Sequence, residues 1–344
     1  MQTLLIALVK AYEIQGCYQM QNAFNAYGID HVVLVKLASA AVVSWLVGLS
    51  EEQTMATVSH VWMDGHPSRV YRAGTNTIPR KGWAAGDAAR KAVQLALMVE
   101  QGQPGSPGAL SAKPGGFWER TFGETGFKLP RPFGSWTVQN VLFKIVPVEG
   151  HAISAVEAAM LHAQLLQKKE LSQIKWIDLR TTAAANLIVN KHGKLRNSAD
   201  RDHCIQYVVA LTFLKKSPPE AADYSDKSPW ATSEELRSLR ERIEVRPDSK
   251  LTQDYFDLGK KSIGAGMTVH LADGSAMPEI LVEYPVGHAR NPQTPAAVQK
   301  KFFQNMGQMF SAAKIGCILG AVQQPDLPVS DFVNLLVPTR KARL

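Results

Sequence analysis

The property that most constrains this chain is a change in apolar spacing part-way along it. Over the first hundred residues apolar positions recur at helical intervals and little alternates with period two. Helices are predicted at 4–13, 31–49, 51–61 and 83–100, the third with Ser50 suited to an N-cap. The last of these is rich in alanine, with a single glycine near its start. A Gly/Pro-rich stretch at 102–116 then breaks the pattern, and Pro130-Arg131-Pro132 breaks it again. Beyond that point 174–179 reads as a strand, while 267–271 and 280–284 read as a hairpin turning near Asp273-Gly274. Helices at 154–167 and 203–214 lie between these strands, and the chain is helical again from 294 through 310.

This order predicts a mixed α and α+β protein. A chain that leaves a helical domain and returns to it fits a mostly helical domain formed by both ends, with an α+β lid inserted. The predicted division is 1–137 for the first helical part, 138–290 for the lid and 291–344 for the return. No internal repeat is evident.

Composition narrows the partners. At 344 residues, 45% hydrophobic and 20% charged, the chain has the balance of a soluble protein able to fill two cores. The most apolar run, Val32 to Leu49, is interrupted by Lys36, Ser39 and Ser44 and falls short of the roughly 20 residues a membrane span needs. The opening MQTLLIALVKAYEIQG has neither a basic n-region nor a small-residue cleavage site, so it reads as an amphipathic helix. Cys17, Cys204 and Cys317 are far apart and form no CxxC pair. That argues against a zinc ribbon or a cysteine-held iron–sulfur cluster and fits a reducing compartment. Neither a metal nor another cofactor is expected. The 38 Lys+Arg against 30 Asp+Glu leave a net charge of +8. Such a balance suits nucleic acid, an anionic membrane surface or a small anion. The basic residues are scattered, with only short clusters such as Arg340, Lys341 and Arg343, and there is no zinc finger, RNP-type motif or basic helix. A small anionic substrate is therefore expected rather than nucleic acid or membrane.

Three runs carry chemistry. Residues 199–207 (ADRDHCIQY) place polar groups just before and inside an apolar helix. His203 and Tyr207, four apart, are predicted to share one helix face. Arg201 and Asp202 would stand at the N-cap and first turn, where helix N–H groups can meet an anion; a capped helix with a buried tyrosine is the plainer alternative. Residues 62–72 and 76–87 form a loop dense in cations, Arg69, Arg72, Arg80 and Lys81, that ends at a helix start. These cations could clamp carboxylates, though a solvated basic loop is the plainer reading. The third run, 143–151 (FKIVPVEGH), sets His151 ahead of a helix, as a base or as a surface cap.

Together these runs resemble the MmgE/PrpD family. The matching phrases are KAYEIQG (10–16), GIDHVVLVKLAS (28–39), RKGWAAGDA (80–88), NVLFK (140–144), residues 199–207 and VEYPVGHAR (282–290). They occur in order across almost the entire chain, and within the family the likeness is to 2-methylcitrate dehydratases. The resemblance implies a helical domain built from both chain ends with an inserted α+β lid. It implies dehydration of 2-methylcitrate to 2-methyl-cis-aconitate, possible action on citrate, and no iron–sulfur cluster. A sister branch decarboxylates cis-aconitate to itaconate.

By position Lys81 matches the family's active-site lysine, His151 its lid histidine and Tyr207 its lid tyrosine. His31 falls near another active-site histidine, two places out of step with the decarboxylase branch. The resemblance then casts Lys81 with Arg69 or Arg72 as clamps on substrate carboxylates, and His151 as acid or base. Tyr207 would orient or protonate the leaving hydroxyl, and Arg201 and His203 complete the binding set. The expected site is a cationic cleft between body and lid, where Lys81, His151 and Tyr207 surround one trianion.

One departure matters. Family members open with helices bearing an Asp, a Thr and an HPSDN-like phrase; the nearest match here, Gly65-His66-Pro67-Ser68, stands in another context. The chain is thus expected to lack those helices, part of the pocket and the place for a mitochondrial presequence. Cytoplasmic location is expected for the chain as given, and the mitochondrial matrix for a full-length eukaryotic form. Homodimers are common in the family. Three further readings stay open: a catalytically impaired fragment or pseudoenzyme, a cis-aconitate decarboxylase, and a basic nucleic-acid-binding protein.

Overall fold

The computed structural model describes residues 1–72, 77–123, 126–166 and 171–338. Asn76, the predicted helix end at Gln167 and the basic cluster Arg340, Lys341 and Arg343 lie outside the described residues. The chain divides into two compact units: Met1–Tyr71 with Pro79–Val141 and Phe302–Leu344, and Arg72–Ile78 with Leu142–Lys301.

The first unit is helical. Its opening elements are α1 (Gln2–Gln21), α2 (Val32–Leu46), α3 (Glu51–Met63) and α4 (Ala84–Glu100), followed by the short α5 (Phe117–Thr121) and α6 (Trp136–Gln139). Helix α1 is twice as long as its predicted core of 4–13. Helix α2 packs against α1, α3 and α4. It meets α4 closely because Ala84, Ala88, Ala92 and Ala96 recur every four residues and are all buried. Ser50 caps α3 as predicted, its side chain accepting from Gln53 N while the Gln53 side chain accepts from Ser50 N. An aromatic cluster of Phe24, Trp62, Phe117, Phe122 and Phe127 fills the space beside α2, with ring centroids 4.9 Å apart for Trp62–Phe117 and for Phe24–Phe122.

The second unit is built on a mixed four-stranded sheet of order β2-β1-β3-β4, comprising β1 (Ile174–Thr181), β2 (Ile243–Pro247), β3 (Ala265–Leu271) and β4 (Ile280–Val282). Strand β2 runs parallel to β1, while β3 is antiparallel to both β1 and β4. The predicted hairpin forms around Gly274 (φ 89°), with Leu271 N donating to Ser275 O at 2.8 Å. Its second strand ends at Val282, two residues short of the prediction. Helix α7 (Ile153–Leu165) covers β3 and β4. Between β1 and β2 lie α8 (Ala183–Val189), α9 (Ser198–Arg201), α10 (Ile205–Lys215) and α11 (Glu234–Glu241). Such a long connection is what a parallel pairing requires. The core joins Ile177, Leu179, Met267 and Val269 of the sheet to Ala155, Ala158 and Ala159 of α7 and Val208 and Leu211 of α10. After β2 come α12 (Ser249–Phe256) and, beyond the sheet, α13 (Thr294–Met306), α14 (Ala312–Val322) and α15 (Val329–Leu335). The last two pack on each other. Among the described residues the observed class is thus helix-rich with a small mixed sheet. Among the described residues no helix is long and apolar enough to cross a membrane.

Gly287, in the VEYPVGHAR phrase, holds φ at 114°, and a Cβ there would lie 2.1 Å from Phe143 O. Phe143 N in turn donates to Gly287 O at 2.9 Å, so two backbones meet where only glycine fits. Gly287→Ala is expected to lower stability by about 2 kcal/mol or more. Urea denaturation measures this, and a loss below about 0.5 kcal/mol would contradict the close-approach account.

Candidate functional site

In the first unit the chain zips residues 28–30 to 67–69. Asp30 N donates to Pro67 O at 2.8 Å, Arg69 N donates to Gly28 O at 2.9 Å, and Ile29 bridges Ser68. This brings together two predicted residues that are 38 positions apart: a guanidinium nitrogen of Arg69 lies 3.2 Å from His31 Nδ1. His31 sits at the start of α2, and the buried Asp30 carboxylate beside it caps that helix by accepting from Val32 N at 3.0 Å. Lys81 lies half-buried in the 3-10 turn Pro79–Gly82 that leads into α4. Its neighbour Arg80 stacks 4.2 Å from the centroid of the Trp83 ring. Arg69 and Arg72 stand at the two ends of a single 3-10 turn, Arg69–Arg72.

A cavity of about 210 Å³ opens in the first unit, lined by Lys36, Asp64, His66, Arg80, Asp87 and Lys91 among others. Lys36 stands on an otherwise apolar face of α2 and is buried; its Nζ is 3.2 Å from Asp64 Oδ2 and 3.0 Å from Gly65 O. Burial, and then the Lys36 charge, push the His66 imidazole down to about 4 against the opposing pull of Asp64. His66 is therefore neutral near pH 7. Sequence reading missed Lys36, His66 and Lys91 as cavity groups. The one available signal was a lysine inside an apolar helical run, which must find a buried partner.

In the second unit His151 occupies the 3-10 turn Gly150–Ala152, directly ahead of α7. Its Nδ1 lies 3.0 and 3.2 Å from the two carboxylate oxygens of Glu149, and its backbone N–H donates to Glu149 Oε2 at 2.8 Å. On the opposite side of the ring, Nε2 is 3.4 Å from the Tyr255 hydroxyl on α12. Burial alone would raise the Glu149 carboxyl. The ring and backbone N–H of His151, with the His203 charge nearby, overcome that and hold it down to about 2.

The prediction that His203 and Tyr207 share a helix face is corrected here. Asn197 caps the single turn of α9 and Asp202 closes it. Cys204 then takes an extended conformation as N-cap of α10, which starts at Ile205. The break resets the helical phase, so His203 precedes the helix that carries Tyr207. Asp202 accordingly closes one helix rather than opening the next, and its carboxylate hydrogen-bonds His203 Nδ1. The backbone Glu149 N donates to Asp202 O at 3.1 Å, which places His151 and His203 on adjoining segments.

Tyr207 is buried, its hydroxyl 3.4 Å from Asp223 O. Burial pushes this phenol up to about 12; the Arg201 charge opposes the rise and Asp223 adds to it. Arg201 is buried too, donating from Nε to Tyr224 O at 2.8 Å and pairing with Asp226. Arg201 and Tyr207 line a cavity of about 850 Å³ together with Lys191, Gln206, Trp230 and Arg240. His151 and His203 are not among its lining residues.

These features belong to a recognisable class. The MmgE/PrpD N-terminal domain matches residues 1–130 and the C-terminal domain matches residues 146–323, so the chain belongs to the MmgE/PrpD family. Within that family it is of the dehydratase type, a hydro-lyase. It is 59% identical over 339 residues to an alkylcitrate dehydratase of a fungal species, covering 98% of this chain and 67% of that one. It is 42% identical over 346 residues to the 2-methylcitrate dehydratase of Salmonella typhimurium, covering 98% and 71%. A mitochondrial 2-methylcitrate dehydratase of Yarrowia lipolytica is 43% identical over 340 residues, covering 97% of this chain and 65% of its own length.

The Glu149 carboxyl has a pH signature. Its folded value lies below the ordinary 4.5, so it contributes stability that is present above pH about 4.5 and drains away as pH falls toward about 2. The stability gap between wild type and Glu149→Gln should narrow across that window in urea denaturation. A gap independent of pH from about 6 to about 2 would contradict the ionised, paired carboxylate.

Proposed function

We propose that this chain removes water from a 2-alkylcitrate, with 2-methylcitrate to 2-methyl-cis-aconitate as the smallest case and citrate as a poorer substrate. The observation that carries the reading is His151, an imidazole with a carboxylate behind one nitrogen and a hydroxyl before the other. That arrangement serves proton transfer at a carbon next to a carboxylate. The names of the relatives, alkylcitrate dehydratase and 2-methylcitrate dehydratase, supply the substrate class.

In the proposed reaction His151 takes the proton next to a carboxylate, the C–O bond breaks, the double bond forms and water leaves. Lys81, with Arg69 or Arg72, holds substrate carboxylates, and the cations stabilise the aci-carboxylate that develops. His31, beside Arg69, belongs to the same binding set. Tyr207, kept as a neutral phenol, orients or protonates the departing hydroxyl. Arg201 and His203 already hold Asp226 and Asp202, so we assign them to shaping the charge around Tyr207 and Glu149. The α+β second unit is read as the family's inserted lid. For a full-length eukaryotic form we propose the mitochondrial matrix; the Yarrowia relative is named as mitochondrial.

The test supplies the purified chain separately with a longer 2-alkylcitrate, 2-methylcitrate, citrate and cis-aconitate, following absorbance of the unsaturated acid. Turnover of the alkylated acids is expected, with citrate poorer by about 10–200-fold, the worth of one methylene in an apolar pocket. His151→Ala should lower kcat by about 10²–10⁴-fold, and Lys81→Ala should both raise KM and lower kcat, since it removes a clamp on the bound carboxylate and on the developing charge. A folded protein that turns over none of these acids would overturn the lyase reading.

A further inference from the structure

We propose that Glu149 is the positioning residue for His151: its carboxylate holds the single ring proton on Nδ1 and leaves Nε2 as the atom that exchanges a proton with substrate. The inference rests on the lyase reading for what that proton does, but not for where it sits.

The hydrogen-bond inventory leads to this arrangement. An ionised carboxylate only accepts, and both oxygens of Glu149 face His151 Nδ1, so a neutral ring must carry its proton there. Nε2 is then an acceptor, and the group 3.4 Å away from it, the Tyr255 hydroxyl, can donate. Burial, then the charge of Glu149, raise the Tyr255 phenol, which keeps its proton in place. Both neighbours thus call for the same tautomer.

Geometry fixes the ring as well as the proton. Glu149 accepts from the backbone N–H and from the side chain of the same residue, so the imidazole is clamped to the turn that carries it. The turn is anchored in its own right, because Glu149 N donates to Asp202 O and α8 packs against residues 150–152. A free imidazole side chain favours its proton on Nε2, which would leave Nδ1 as the base, buried against a carboxylate. Glu149 reverses that preference and presents the lone pair on the side of Tyr255. Asp202 and His203, tied to the same turn through the Glu149 backbone, form a second carboxylate–imidazole pair beside the first.

The test reads the tautomer directly. In the full chain labelled with ¹⁵N-histidine, near pH 8, the His151 resonances, assigned from the His151→Ala spectrum, should show Nδ1 as the protonated nitrogen. Glu149→Ala should shift the proton toward Nε2, while Glu149→Asp restores part of the wild-type pattern. In turnover of the preferred alkylcitrate, Glu149→Gln should lower kcat by at least about tenfold with KM within about twofold, because geometry survives while the charge behind the ring is lost. Far-UV circular dichroism checks that each variant folds, and the Asp and Gln variants retain an acceptor for the turn should Ala unfold it. An Nε2-protonated ring in wild type, or a tautomer unmoved by losing Glu149 and a kcat within about twofold of wild type, overturns the proposal. Lack of wild-type turnover on any tricarboxylate would sink the lyase reading instead, and the ring spectrum still decides the role of Glu149.

Discussion

A charge taken out of water must meet fixed partners, and that requirement organises both units of this molecule. Lys36 projects from an apolar helix only because Asp64 and the Gly65 carbonyl receive its ammonium. Glu13, buried on α1, accepts from the backbone N–H groups of Gly134 and Thr137, so a helix at the start of the chain sets the path of a segment 121 to 124 residues later. In the second unit Lys191 bonds the Thr77 hydroxyl and lies 3.5 Å from Asp200, drawing the short segment at 77–78 onto the body that the sheet builds. Each such pairing joins distant stretches and fixes where the polar groups of the candidate site stand.

Burial also sorts the titratable groups by role. His66 and Tyr207 are held neutral because the opposing charges, Asp64 beside His66 and Arg201 beside Tyr207, do not offset the loss of water. Glu149 is held charged because His151 supplies a ring donor and a backbone donor at once. A carboxylate that stays ionised behind an imidazole, and a phenol that stays protonated, are the two states that the proposed proton removal and loss of hydroxide require of their partners. No single distance sets this division. It comes from which groups share a buried neighbourhood.

Local pattern made much of this visible in the amino-acid order. Ser50 with Gln53 marks the start of α3, and the four-residue alanine period of α4 states which face is buried. Asp273-Gly274 marks the hairpin turn, and the phrase around His151 places that residue just ahead of a helix. Other features escaped. Strand β2 is five residues long and ends in proline, and its parallel partner lies some 65 positions earlier, so nothing local distinguishes it. The i,i+4 argument for His203 and Tyr207 failed because two separate helices, broken at the extended Cys204, meet where one was expected. The Lys36–His66–Lys91 cavity draws on α2, the loop after α3 and α4, and no run of sequence holds all three.

The sequence by itself determined the main helices, the first strand and the hairpin in their order, the family and the identity of the acid–base candidates, because periodicity, caps and motif phrases act over a few residues. Only the tertiary structure decided which nitrogen of His151 faces a carboxylate and which faces a phenol. It likewise decided whether a given cation is paired, and which side chains enclose each cavity. Tyr255 stands 104 positions from His151, and Thr77 stands 114 from Lys191. Contacts at such separations arise from the packing of whole helices against a sheet, and no local preference along the chain encodes them.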